Sequence, residues 1–177
     1  DLAPTLLEFF GIPVPEDMLG CPLKETIAEG RPVRETCLYG TCGAQISCTD
    51  GRYVYVLAPV NKTNDPLYNY TLMPTHMREM FPPEELQELE LSEPFSFTKG
   101  CRLLKIKNRE KSQYLDERGE HPYRTMLFDL ETDPGQTNPL SDPERESYFR
   151  KEIVRLMKEN DAPPEQYERM GLQAERE

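Results

Sequence analysis

The sequence has no run approaching ~18 consecutive apolar residues, which excludes a membrane-spanning helix. It has no charged stretch followed by an apolar one at its start, so nothing in it reads as a signal peptide. Cations are scarce: 21 Lys and Arg stand against 32 Asp and Glu, a net charge of −11. A broad nucleic-acid surface needs clustered Lys and Arg to neutralise phosphates, and this balance argues against one. Histidine is limited to His76 and His121. A Ser-His-Asp triad would need one of them as its base, and neither has a Gly-x-Ser-x-Gly elbow to serve. There is no glycine-rich phosphate loop. Apolar residues make up 37 % of the 177 residues, and the 10 glycines do not close the gap to the about 45–50 % of a typical globular domain. The core is therefore modest. Proline is the opposite case, at 17 residues, and it predicts many loops and short elements.

The cysteines are Cys21, Cys37, Cys42, Cys48 and Cys101. An odd number does not close a disulfide framework. No Cys-x-x-Cys pair occurs, and the two histidines are remote in sequence, so the ligand spacing of a structural zinc site is missing. Free thiols packed as small hydrophobes in a reducing compartment fit best. This favours the cytoplasm, with export of a longer parent left open. The sequons at Asn61 and Asn69 are acceptors only in a secretory pathway.

Along the chain, Leu2, Leu6, Phe9 and Phe10 recur at helical spacing behind Asp1, a candidate N-cap, and Gly11 is a stop. Residues 12–33 hold four prolines and two glycines, a connection with about one turn of helix near 23–28. Strand patterns follow at 36–39, 44–48 and 52–58. Asp50-Gly51 is the strongest hairpin signal. Both faces of 52–58 are apolar, which predicts a central strand. The polar, Pro/Asn-rich 59–72 predicts a loop. Short helices are expected at 75–80 and from Pro82, the latter carrying Leu86, Leu89 and Leu91. Counted from Glu79 through Phe97, there are six acids and no Lys or Arg. Residues 102–107 and 125–130 read as strands, and the local net charge of +4 over 99–124 reads as a solvated loop face. Asp142-Pro143-Glu144 opens the longest helix, to about Glu159, with Phe149, Ile153, Leu156 and Met157 as its buried stripe. A short helix restarts at 161–165, and 173–177 is expected to fray. The layout is α+β: a small antiparallel sheet with the long C-terminal helix packed on it, preceded by an N-terminal helix.

Ser141-x-Pro143-x-Arg145 has the form of a sulfate-ester hydrolase nucleophile motif. Helix capping explains the same residues fully, because Asp142 caps, Pro143 takes the first helical position and Glu144 complements the dipole. The remaining polar residues of interest are loop cations. His76 stands beside Arg78, and Lys99 stands in an aromatic loop. Both suit an anionic ligand.

Three segments carry a family resemblance. Residues 1–20 (DLAPTLLEFFGIPVPEDMLG) look like the segment that follows the last metal-site motif of arylsulfatase-type hydrolases, in the alkaline phosphatase superfamily. Residues 50–55 (DGRYVY) resemble a hairpin of the small sheet of those enzymes. Residues 127–140 (LFDLETDPGQTNPL) are similar to their closing strand and turn. The order and spacing match, and residues 61–99 resemble a bacterial subgroup. The resemblance implies that residues 1–33 end a catalytic α/β domain and that 34–177 form the C-terminal subdomain of a longer enzyme. Asp1 in place of an initiator Met fits such a piece. It further implies a formylglycine nucleophile and calcium in the parent, with the residues that form and hold them outside these 177. This piece then needs no cofactor of its own and is inactive alone. Its partners are the rest of the catalytic domain and an anionic sulfate-ester substrate, whose pocket it lines. His76 and Lys99, with Tyr39 as a third, are the expected substrate-binding residues; Tyr39 precedes Gly40, where a backbone can approach a ligand closely. The unpartnered apolar stripe predicts self-association through residues 1–20. The competing expectation is an independent acidic protein-binding module without enzymatic activity.

Overall fold

A computed structural model describes the chain except for Pro74, Met77, Arg78, residues 109–115, Gly119 and Glu177. The fold is α+β and divides into two compact units, Asp1–Glu35 and Thr36–Glu177.

In the smaller unit, α1 (Leu2–Phe9) and α2 (Lys24–Glu29) are joined by irregular chain. Asp1 does not cap α1 with its side chain. Its carboxylate accepts instead from the Cys21 amide at 2.9 Å and pairs with both terminal nitrogens of Arg34. Two charge-assisted bonds to a guanidinium outweigh one capping bond. Gly20 is required here, because a Cβ would stand 2.9 Å from the Asp1 nitrogen. The amide of Ile12 reaches back to the Leu7 carbonyl at 2.8 Å across Gly11, whose φ is +69°. That is the left-handed stop expected of glycine. The stripe is bare: Leu2, Leu6, Phe9 and Phe10 are all more than half exposed.

In the larger unit, β1 (Cys37–Tyr39), β2 (Ile46–Thr49), β3 (Tyr53–Leu57) and β7 (Met126–Asp129) form one antiparallel sheet in the order β1-β2-β3-β7. Asp50 turns the β2–β3 hairpin, its carboxylate accepting from the amides of Arg52 and Tyr53 at 2.9 and 2.7 Å. Gly51 supplies the positive φ that the reversal needs. As expected of a central strand, β3 buries both faces. Tyr55 and Leu57 join Cys48 and Leu127 under α4 (Pro143–Glu159), while Val54 and Val56 pack with Phe128 on the other face. Each large side chain so buried stabilises the fold by about 1.5–3 kcal/mol.

Asp142 caps α4 by accepting from the Arg145 amide at 3.0 Å, with Pro143 in the first turn. The buried stripe of α4 is Phe149, Ile153, Val154 and Met157; Leu156 is only partly buried, and Val154 takes the place expected for it. Beyond α5 (Pro164–Met170), residues 173–177 were expected to fray, yet α6 (Gln173–Arg176) forms. Arg150 on α4 holds it, pairing with Glu175 at 2.7 Å and donating to the Gly171 carbonyl at 2.7 Å.

The expected antiparallel sheet under the long C-terminal helix is present, and a second one accompanies it. A second antiparallel sheet has the order β4-β6-β5, with β4 (Tyr68–Thr71), β5 (Glu90–Leu91) and β6 (Leu104–Lys107). Part of the expected loop 59–72 is thus β4. The expected helix at 75–80 is replaced by an antiparallel bridge between Thr75 and Met80; Pro74, expected to start it, and Met77 and Arg78 within it lie outside the described set. The helix from Pro83, α3, ends at Leu86, and Leu91 belongs to β5, opposite Leu104.

Candidate functional site

The register of the second sheet places two of the three candidate residues. Thr71 at the end of β4 and Leu91 at the end of β5 both lie opposite Leu104, the first residue of β6. The connection after β4, which carries His76, and the one between β5 and β6, which carries Lys99, therefore leave the same end of this sheet. Tyr39 belongs elsewhere, at the end of edge strand β1 in the first sheet.

His76 is fixed by neighbours. Its Nε2 lies 2.8 Å from Oε2 of Glu85, and its ring packs on Phe81 with centroids 4.2 Å apart. Glu85 is buried on α3. A carboxylate held this way sets the ring's orientation. In the sequence Glu85 is one of a run of surface-like acids, and only its burial beside an imidazole marks it out. Arg78, the companion of His76 in sequence, lies outside the described residues.

Lys99 closes a 3₁₀ turn at Ser96–Thr98 in left-handed conformation, with φ +52°. The turn is built on aromatic rings: Phe95 stacks on Phe97 at 5.4 Å and meets the edge of Tyr70 at 5.2 Å. Phe97 is 59 % exposed, a flat apolar surface beside an exposed lysine.

Tyr39 is half exposed and sits opposite Ser47; partial burial raises its phenol above the usual range. The expectation that Gly40 lets a ligand approach is corrected. The Gln45 carbonyl fills that space, only 2.7 Å from where a Cβ would stand. Gly40 serves the return of the chain toward β2.

The charge on residues 99–124 is not uniformly solvated. Lys105 is largely covered, its Nζ 2.9 Å from Glu165 and 4.4 Å above the ring of Tyr68. Tyr70 also donates to Glu165. Burial raises the Tyr70 phenol far above its usual value, and the Tyr70 and Lys105 contacts hold Glu165 below the usual carboxylate range against its own burial. The sequence hides this group because β4 reads as loop.

The segments 50–55 and 127–140 meet in space. β3 and β7 pair along Tyr53–Val56 and Met126–Asp129. Arg52 bridges to Asp129 through Nη2 at 2.9 Å and to Glu131 at 3.0 Å. The Tyr53 ring has the guanidinium of Arg145 at 3.7 Å and that of Arg52 at 4.9 Å from its centroid. The hydrogen bond from Arg52 holds the Asp129 carboxyl below its usual range. Arg145, from the Ser141-x-Pro-x-Arg pattern, is thus occupied by Asp142 and by Tyr53. The pattern behaves as a helix start.

Among the described residues, no group of three or more His, Cys, Asp or Glu is placed to hold a metal ion. No described helix is long and apolar enough to cross a membrane. No family model matches the chain, and no curated protein matches it.

Proposed function

We propose that this chain is the C-terminal part of an arylsulfatase-type sulfuric ester hydrolase. Residues 1–33 complete the catalytic domain, and residues 34–177 form a subdomain that supports the fold and lines the substrate pocket. The observation that carries the reading is the meeting of two resembling segments, 50–55 and 127–140, as neighbouring strands tied by Arg52 and Asp129. The bare stripe of α1 supports it too, since a helix with Leu2, Leu6, Phe9 and Phe10 exposed is built to be covered.

In such an enzyme calcium holds the sulfate oxygens and a formylglycine supplies the nucleophile. In this reading both belong to the catalytic domain. What this chain contributes is recognition. His76, oriented by Glu85, and Lys99, beside the Phe95–Phe97 stack, leave one end of the second sheet. The imidazole and the ammonium there would meet the anionic ester, with the exposed ring of Phe97 offering its face to the organic group. Tyr39, on the other sheet, is the weaker candidate.

The test uses the full-length enzyme. His76→Ala and Lys99→Ala should each lower kcat/KM for the natural substrate by about tenfold or more, as expected for one lost charge-assisted contact. A small aryl sulfate should be much less affected. Equal effects on both substrates, or none, contradict the assignment. The isolated 177-residue chain should not turn over an aryl sulfate with calcium added; turnover that chelation abolishes contradicts the division of labour.

A further inference from the structure

The two apolar clusters of the larger unit are built on β2, β3 and β7 of the first sheet with α4, α5 and the residues that follow. Among the described residues, neither cluster contains a member of β4, β5 or β6. The second sheet has buried residues of its own, Ile106 among them, with Leu103 and Phe81 nearby in the chain segments that flank it. Its ties to the C-terminal helices are of another kind. Tyr70 and Lys105 both engage the carboxylate of Glu165, and Lys105 is held over Tyr68. The amide of Ser96, in the turn between β5 and β6, donates to Asp161 Oδ2 at 2.7 Å. Asp161 and Glu165 flank Pro163 and Pro164, at the elbow after α4 where α5 begins. Two prolines leave this elbow few conformations, so its two carboxylates stand at fixed places.

We infer that the second sheet is a lobe latched to this elbow by Asp161 and Glu165, and that it opens as a unit before the first sheet does. Sub-global opening follows cooperative units that share few apolar contacts with the rest. Here the apolar continuity lies within the first sheet and its helices, and the polar contacts span the junction. The connections that carry His76 and Lys99 travel with the lobe, so the latch sets where those side chains stand. That consequence rests on the sulfatase reading, whereas the latch itself does not.

Hydrogen exchange on the 177-residue chain tests the latch without substrate. In the unaltered protein, the amides of β6, the middle strand of its sheet, should exchange at least about tenfold faster than those of β2 and β3. Glu165→Gln keeps an acceptor for Tyr70 but removes the charge that holds Lys105. It should speed exchange in β4 and β6 by about a further tenfold and leave β2 and β3 unchanged. Asp161→Asn should act in the same direction. Equal protection of β6 and β3 in the unaltered chain overturns the proposal. So does a Glu165→Gln variant in which both sheets loosen together. Should the variants fail to fold, the comparison within the unaltered chain decides alone. Failure here leaves the sulfatase reading untouched, and an upstream sequence without a sulfatase domain leaves the latch untouched.

Discussion

Asn64 and Arg169, 105 residues apart in the chain, meet in the interior with Asn64 Oδ1 2.6 Å from Arg169 Nη1. Asn64 in turn donates to the Gly43 carbonyl at 2.7 Å, and Arg169 to the Ala44 carbonyl at 3.0 Å and to Gln166 at 3.1 Å. One buried amide thus ties the β1–β2 connection, the chain after β3 and α5 together. Asn64 also has a φ of +61°, which glycine adopts without cost. Asn64→Gly therefore removes the hydrogen bonds while keeping the backbone. It should cost about 2–3 kcal/mol, because a buried cation and a carbonyl each lose a partner. A denaturant titration measures it as a shift in midpoint at constant slope. A change within about 0.5 kcal/mol, the usual effect of an unimportant surface substitution, would show that this hub is not structural.

The thiols should separate by burial. Cys42 and Cys101 are exposed, while Cys48 is fully buried and its thiol is pushed up to about 12, first by burial and then by the charge of Glu152. Only the thiolate is nucleophilic. A disulfide reagent at pH 8 should modify Cys42 and Cys101 quickly and Cys48 only after denaturation. Mass mapping that finds Cys48 among the fast sites would contradict the packing of β2 under α4.

Acid should unfold the larger unit for identifiable reasons. Asp129, Asp142, Glu152, Asp161 and Glu165 are all held below the usual carboxylate values, by Arg52, the Arg145 amide, Arg155, Ser96 and the Tyr70–Lys105 pair respectively. A carboxylate with a depressed folded-state value adds stability that is complete above its unfolded value, about 4, and that disappears as pH falls through the folded value. Stability should thus be flat from about pH 6 to 5 and fall steadily below about pH 4. The Asp129→Asn variant should show a shallower fall. Stability that rises on going from pH 5 to 3 would contradict these assignments.

The stripe of α1 should find a partner. With Phe9 80 % and Leu2 75 % exposed, residues 1–20 present an apolar surface of the kind that marks association sites. Light scattering should show a mass above that of one chain as concentration rises. The paired change Leu6→Glu and Phe9→Glu should restore the mass of a single chain. A single-chain mass at all concentrations would contradict the expectation.

Short-range signals were legible in the sequence. Asp50-Gly51 fixed a hairpin because a tight turn needs those residues. The doubly apolar 52–58 showed β3 to be central, and Asp142-Pro143 marked the start of α4. Of the second sheet only β6 was legible, as the strand expected at 102–107. β4 is half-buried along its whole length, with polar partners such as Lys105 and Glu165 supplied by distant segments, so no apolar alternation announces it. β5 has two residues, too few for any period. The candidate site was legible only in part. His76 and Lys99 stood out as cations in Pro- and aromatic-rich loops. Glu85, which orients His76, and Glu165, which grips Lys105, looked like ordinary surface acids because burial is decided by the fold.

The central claim is that this chain completes a sulfatase, and the coding sequence upstream of Asp1 tests it most directly. The reading frame should continue upstream into a catalytic domain with a Cys/Ser-x-Pro-x-Arg motif near its start and paired metal-binding aspartates. A start codon immediately before Asp1, or an upstream domain without that motif, would contradict the account and favour an independent acidic binding module.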